Sequence, residues 1–252
     1  MRNVMVCAAL AALMVAPAFA GGQAEGDDLT TITVATDATW PPMQFVNTEQ
    51  EIVGFDIDLM NAVAEAAGFQ VVFQNTAWDG IFAGLANGDY DAVISSVTIT
   101  EERERTMDFS TPYINAGQVL IVRQDAPSGW TTLADLAGES VGAQIGTTGA
   151  FEIEAADGVE LRTYDELGLA IEDLAQGRIA GVVADTPIAA DFVLQNDTYR
   201  DVLQIVGEPF TEEFYGVAVQ EGNSAVLELV NAGLEVVLND GTVEELENTW
   251  LR

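Results

Sequence analysis

Apolar positions along this chain fall into two kinds of stretch, short continuous runs and longer segments in which they recur every three to four residues. The runs Thr31–Ala35, Val71–Phe73, Ala92–Ile94, Val119–Val122, Val141–Ala143, Ile179–Ala184 and Val202–Val206 read as strands. Between them, Ile57–Ala67, Ile81–Asn87, Leu167–Gln176, Ile188–Leu194 and Ala225–Asn239 carry helical spacing. Strands that alternate with helices predict α/β units around largely parallel sheets.

One pattern occurs twice. The segment from Leu85 to Ser96 (LANGDYDAVISS) reads like that from Leu174 to Asp185 (LAQGRIAGVVAD): a helix end, a glycine cap and a buried strand that finishes on polar residues. Two copies suggest two similar lobes, although such a likeness also arises from ordinary α/β grammar. If both are strands of parallel sheets, their polar ends, Ser95–Ser96 and Asp185, lie where open α/β sheets bind ligands. Two lobes facing each other would then share one cleft.

The first twenty residues stand apart. A basic start at Arg2, thirteen apolar residues from Val4 to Ala16 and the small residues Ala18 and Ala20 predict a secretory leader cut after Ala20. A permanent anchor is the alternative, but the run falls short of the roughly 20 residues that span a bilayer. Residues 21–28 form a polar tail. Cys7, near the start of the apolar run, is misplaced for lipid attachment, and its removal with the leader leaves a chain without disulfides, held by its core alone.

The chain has no histidine, and all eight of its basic residues are arginine. Ser-His-Asp and Cys-His triads, Ser-Lys pairs, Schiff bases and His or Cys zinc sites are therefore excluded. Against 41 acidic residues the formal charge is −33, and one unit more negative once Arg2 is lost, which repels nucleic acid and anionic lipid. The absence of lysine beside this excess points to a surface adapted to high salt, or to lineage-biased codon use.

The segment from Gly54 to Gly68 (GFDIDLMNAVAEAAG) and that from Ile94 to Arg103 (ISSVTITEER) carry a resemblance. From about Leu29 to Leu251 the chain resembles the bacterial extracellular solute-binding proteins of family 3, periplasmic receptors that deliver polar amino acids to ABC transporters. The resemblance implies a type II periplasmic-binding-protein-like fold, with two α/β lobes joined by a two-strand hinge and a ligand cleft between them. Lobe one would comprise 29–116 and 210–252, and lobe two 117–209, with the second crossing near Val206 to Phe210.

A free amino acid presents a carboxylate, an ammonium and a side chain, each of which needs a partner once desolvated. The resemblance implies that Arg103 pairs the carboxylate, supported by Ser95, Ser96 and Thr98. The bland reading, a solvated turn with a Glu101–Arg105 pair, fits Arg105 better than Arg103. Thr148, in Gly146–Gly149, is implied as a carboxylate contact across the cleft, although the segment also reads as a plain helix cap. Asp185 is implied for the ammonium; Asp two residues before Pro187 is equally ordinary helix-start chemistry. For the side chain the resemblance points to Asp37, Trp40 and Trp78, whose other reading is core packing, while Tyr113 packs at the hinge.

The implied protein is exported, periplasmic and monomeric, with a free amino acid and a membrane-embedded ABC permease as partners and with no catalytic residue, metal or cofactor. A cationic or amide side chain suits Asp37, whereas a second carboxylate would lack a partner. Gln144 departs from the lysine of some glutamine binders. Two alternatives share the fold: a dehydratase of the cyclohexadienyl or arogenate type, in which a freed Asp185 would be the acid, and a sensory module that presents ligand to a chemoreceptor.

Overall fold

The computed structural model describes residues 30–252, so the leader, its cleavage point after Ala20 and the polar tail lie outside the described residues. Two five-stranded sheets organise the rest. The first runs Gln70–Asn75, Thr31–Thr36, Ala92–Val93, Ala218–Gln220, Met107–Phe109. The second runs Glu160–Tyr164, Ser140–Gln144, Gly181–Asp185, Gln118–Arg123, Leu203–Val206. In each, three parallel strands lie in the order second, first, third, and two further strands join antiparallel. The twice-occurring segment supplies the third strand of each sheet, so its likeness is architectural.

The expectation of largely parallel sheets thus holds for three strands of each. The fourth strands reverse for a geometric reason. Gln118–Arg123 and Ala218–Gln220 follow directly on two short segments, Ile114–Ala116 and Glu213–Tyr215, which pair antiparallel and carry the chain from one sheet to the other. A strand that enters its sheet from this crossing runs opposite to strands that end there. The crossing chains are so close that a Cβ on Gly117 would sit 2.4 Å from the Thr211 carbonyl oxygen. Tyr113, just before the crossing, is buried against Phe55 and Tyr215, with ring centroids 6.4 Å and 6.2 Å away.

The run GFDIDL has a physical account residue by residue. Gly54 has φ 133°, and a Cβ there would lie 2.3 Å from the Met43 carbonyl oxygen, so only glycine fits. The helix Phe55–Ala67 then buries Phe55, Ile57, Leu59, Met60 and Val63, and ends on Gly68 in the left-handed conformation. Its buried face meets the helix Ser224–Val237 so closely that a Cβ on Gly233 would reach the Val63 carbonyl at 2.3 Å. Asp56, fully buried, accepts the Ser96 N–H at 2.7 Å and the Tyr113 hydroxyl at 2.9 Å. Asp58 accepts the Trp250 indole N–H at 2.9 Å and so ties down the C-terminal helix Thr242–Trp250.

Elsewhere the elements shift modestly. The segment read as helix over Ile188–Leu194 is a short α-helix, Thr186–Ala190, prolonged by a π turn over Asp191–Gln195. No described helix is long and apolar enough to cross a membrane.

Arginine pairs few of the carboxylates. Ion pairs among the described residues join Arg123 to Asp125, Arg162 and Arg178 to Asp173, Arg200 to Asp197 and Arg252 to Glu247. The Glu101–Arg105 pair read from the sequence is not among them, because the turn there is a 3-10 helix over Arg103–Arg105 that does not keep the four-residue helical spacing. Most acidic side chains therefore repel one another through solvent. The denaturant midpoint is expected to rise between about 0.1 M and 2 M potassium chloride, as the Debye length falls from about 10 Å to about 3 Å or below. Equal midpoints at both salt levels would contradict this.

Candidate ligand-binding cleft

The carboxyl ends of the parallel strands of both sheets face each other across the crossing, and the predicted residues converge there. Trp40, Trp78, Ser95, Ser96, Thr98, Arg103, Thr148 and Asp185 line one enclosed cavity together with Thr147. Asp37 lies off it, in an adjoining pocket of about 260 Å³ that also has Thr39, Asn75, Ala77, Trp78, Asp165 and Glu166 in its walls. Trp78 separates the two spaces. The enclosed cavity itself measures about 10 Å³, little more than one water needs. Anything larger than a water enters only with the lobes apart or with side chains displaced.

Arg103 is 8% exposed. Its guanidinium donates to the Thr98 carbonyl at 2.8 Å and to the Gly146 carbonyl of the opposite lobe at 3.4 Å. It lies 5.4 Å from the Trp78 ring centroid and 5.1 Å from that of Phe82. Burial pushes its pKa down, against the pull of Asp185 and Glu213, yet it forms no ion pair among the described residues. Part of the Trp78 face, expected for the ligand, is thus used to stack Arg103.

Asp185 is 4% exposed and precedes the helix Thr186–Ala190, but its side chain makes no capping bond. The helix does start there, with Pro187 in its first turn, but the carboxylate does not cap it and turns toward Gln118 Nε2 and the Tyr215 hydroxyl, both of which donate to it. Burial, and next the charge of Glu213, push its pKa up to about 7, while the bonds from Tyr215 and Gln118 and the charge of Arg103 oppose the rise.

At Gly146–Gly149 the two readings divide between neighbours. Thr147 caps the helix Thr148–Ala155, its oxygen accepting the Ala150 N–H at 3.2 Å, and its hydroxyl donates to the Gln144 carbonyl at 2.8 Å. Thr148 turns to the cleft and donates to Glu213 at 2.8 Å. The helix thereby begins at the cavity wall, where first-turn N–H groups favour an anion. Ser95 and Ser96 follow the strand Ala92–Val93; Ser95 Oγ accepts the Asp37 N–H at 3.0 Å, and Ser96 takes a positive φ of 51° under the grip of Asp56.

Asp37 is buried, accepts from Thr39 at 2.9 Å and from Gln144 Nε2 at 2.9 Å, and has its pKa raised, first by burial. Gln144 also accepts the Trp40 indole N–H and donates to the Asp165 carbonyl at 2.8 Å. It therefore closes the seam between the lobes. Gln144 stands out in the sequence for its departure from lysine, whereas Gln118, Glu213 and Tyr215 are not among the residues read there. Gln144 stands at the polar end of an apolar run; the other three carry no such local signal.

Known proteins resemble this chain in sequence and fold. The L-cystine-binding protein of Escherichia coli K12 is 33% identical over 221 residues, covering 87% of this chain and 82% of that one. The ABC transporter arginine-binding protein 1 of the same organism is 34% identical over 243 residues, covering 96% and 97%. A solved ancestral arginine-binding protein bound to arginine superposes with a TM-score of 0.84 at 39% identity, over 89% of this chain and 100% of that one. The sequence profile of one family matches residues 32–252, nearly all that the two sheets and their crossing comprise. Together with the close superposition on a solved structure, that match places the chain among the bacterial extracellular solute-binding proteins, family 3.

Proposed function

We propose that this protein is an extracytoplasmic receptor that captures a polar L-amino acid between its lobes, one with a cationic side chain, and delivers it to an ABC permease. The carrying observation is a pair of desolvated groups, the Arg103 guanidinium from lobe one and the Asp185 carboxyl from lobe two, which face one cavity without forming an ion pair with each other. A zwitterion supplies the missing partner to each. In this reading Arg103 and the first turn of Thr148–Ala155 take the carboxylate, and Asp185 takes the ammonium.

The side chain then runs past Trp78 into the pocket that holds Asp37, Asp165 and Glu166 but no cation. Three carboxylates around one pocket favour a guanidinium or ammonium. An amide side chain is the second reading, supported by the Gln144 amide in the pocket wall, which offers both a donor and an acceptor. Closure around the ligand favours a permease that recognises the closed form.

Two measurements test this. A thermal-shift screen across the twenty amino acids, ornithine and citrulline is expected to single out cationic ligands, since a ligand at 1,000 times its Kd adds about 4 kcal/mol of stability. Shifts confined to acidic or apolar amino acids would overturn the reading. Asp37→Asn is expected to weaken arginine by roughly 2 to 5 kcal/mol and glutamine far less, because it leaves a desolvated cation unpaired. Equal small losses for both ligands in calorimetry would remove Asp37 as the selector.

A further inference from the structure

Glu213, at the start of the crossing strand Glu213–Tyr215, is a hinge carboxylate with a partner in each lobe. It is 8% exposed and does not line the enclosed cavity. Its Oε2 accepts the Thr98 hydroxyl of lobe one at 2.7 Å and the Thr148 hydroxyl of lobe two at 2.8 Å, and its Oε1 accepts from Thr211 at 2.9 Å. Both hydroxyls donate to Glu213, so their oxygens keep only acceptor capacity for other partners. The Thr148 oxygen uses that capacity to accept from Gln118 Nε2 at 3.2 Å, and the same amide nitrogen donates to Asp185. A continuous hydrogen-bonded chain therefore runs from Thr98 through the hinge to the acid assigned to the ligand's ammonium.

The two threonine bonds differ in what they hold. The segment around Thr98 is bonded along the crossing strand, Ile99 N–H to the Phe214 carbonyl at 2.8 Å and Gly216 N–H to the Val97 carbonyl at 3.0 Å. Glu213 therefore moves with lobe one. Its bond to Thr148 spans the lobes and must break when they part.

We propose that Glu213 is a positioning residue that latches lobe two onto lobe one through Thr148, setting amino-acid affinity without touching the amino acid. The inference rests on the reading of the cleft as an amino-acid site. It follows from a bond between a carboxylate and a hydroxyl that is buried when closed and lost when open, an interaction of the stronger, charge-assisted kind.

The probe is L-arginine, and the variants are Glu213→Ala, Glu213→Gln and each of these combined with Thr148→Val. Glu213→Ala is expected to lower arginine affinity about 10- to 100-fold. Glu213→Gln, which keeps an acceptor oxygen, is expected to retain part of the affinity and serves as the informative variant if the alanine protein does not fold. With Thr148→Val already present, either change is expected to cost under about 3-fold, because the latch is gone.

Spin labels on Glu65→Cys in lobe one and Glu154→Cys in lobe two report closure directly. Without amino acid, Glu213→Ala is expected to shift the interlobe distances to longer values than in wild type. Unchanged affinity in both Glu213 variants overturns the proposal, as does an equal loss with and without Thr148, or a loss with unchanged distances. If arginine binds to no variant and not to wild type, the functional reading fails, and the ligand-free distances alone then decide the latch: a shift upholds it, and none overturns it.

Discussion

Arg103→Ala is expected to weaken amino-acid binding by roughly 2 to 5 kcal/mol, about 30-fold to several thousand-fold. The size follows from burial: Arg103 is 8% exposed, its guanidinium lies against both Trp78 and Phe82, and it has no carboxylate partner among the described residues. A cation held desolvated in this way is costly to the ligand-free fold and most favourable when a carboxylate arrives. The unfolding free energy of the ligand-free variant is therefore expected to stay within about 1 kcal/mol of wild type. Wild-type affinity measured by calorimetry would remove Arg103 from the site, and a collapse of the ligand-free fold would make it a structural residue.

Asp185→Ala is expected to cost a similar roughly 2 to 5 kcal/mol of binding, and the wild-type carboxyl gives binding a pH signature. Its pKa, ordinarily near 3.8, stands at about 7 in the fold, so the folded chain holds a proton there that the unfolded chain has released. The stability contributed by that proton is fully present below about pH 3.8 and is lost as pH rises through about 7. Binding runs the other way, because an ammonium pairs with the ionised form. Affinity is expected to rise by up to about tenfold per pH unit toward pH 7 and then level, with release of up to about one proton on binding near pH 6. Calorimetry in two buffers of different ionisation enthalpy measures that proton. No release in wild type, or the same release in Asp185→Ala, would contradict the assignment.

What the sequence could and could not disclose divides along range. The helix Phe55–Ala67 was legible because its buried residues repeat at helical spacing and glycines bound it at both ends. The hinge strands were not, since Ile114–Ala116 and Glu213–Tyr215 are three residues each, too short to show a period. The helix Thr242–Trp250 has only a three-residue apolar stripe, Val243, Leu246 and Trp250, partly buried against the core, and the edge strand Glu160–Tyr164 is largely exposed.

The residues placed at the cleft from the sequence came from resemblance, and the structure brings eight of the nine to one cavity, with Asp37 in the pocket beside it. Their working partners were hidden for a different reason. Glu213 lies 115 positions from Thr98 and Gln118 lies 67 from Asp185. No local pattern encodes such pairs. Asp185 shows the reverse case: a helix-start signal so ordinary that only the fold reveals the side chain turned away from the helix and into the cleft.

Charge on opposite lobes is the centre of the account, because the ligand's carboxylate and ammonium would then draw lobe one and lobe two together. Small-angle solution scattering with and without saturating L-arginine tests this most directly. Wild type is expected to contract on addition of arginine, while Arg103→Ala and Asp185→Ala keep the larger radius of gyration at the concentration that saturates wild type. A wild-type protein that binds arginine without contracting, or that is already fully contracted before any is added, would contradict closure driven by the ligand's two charges.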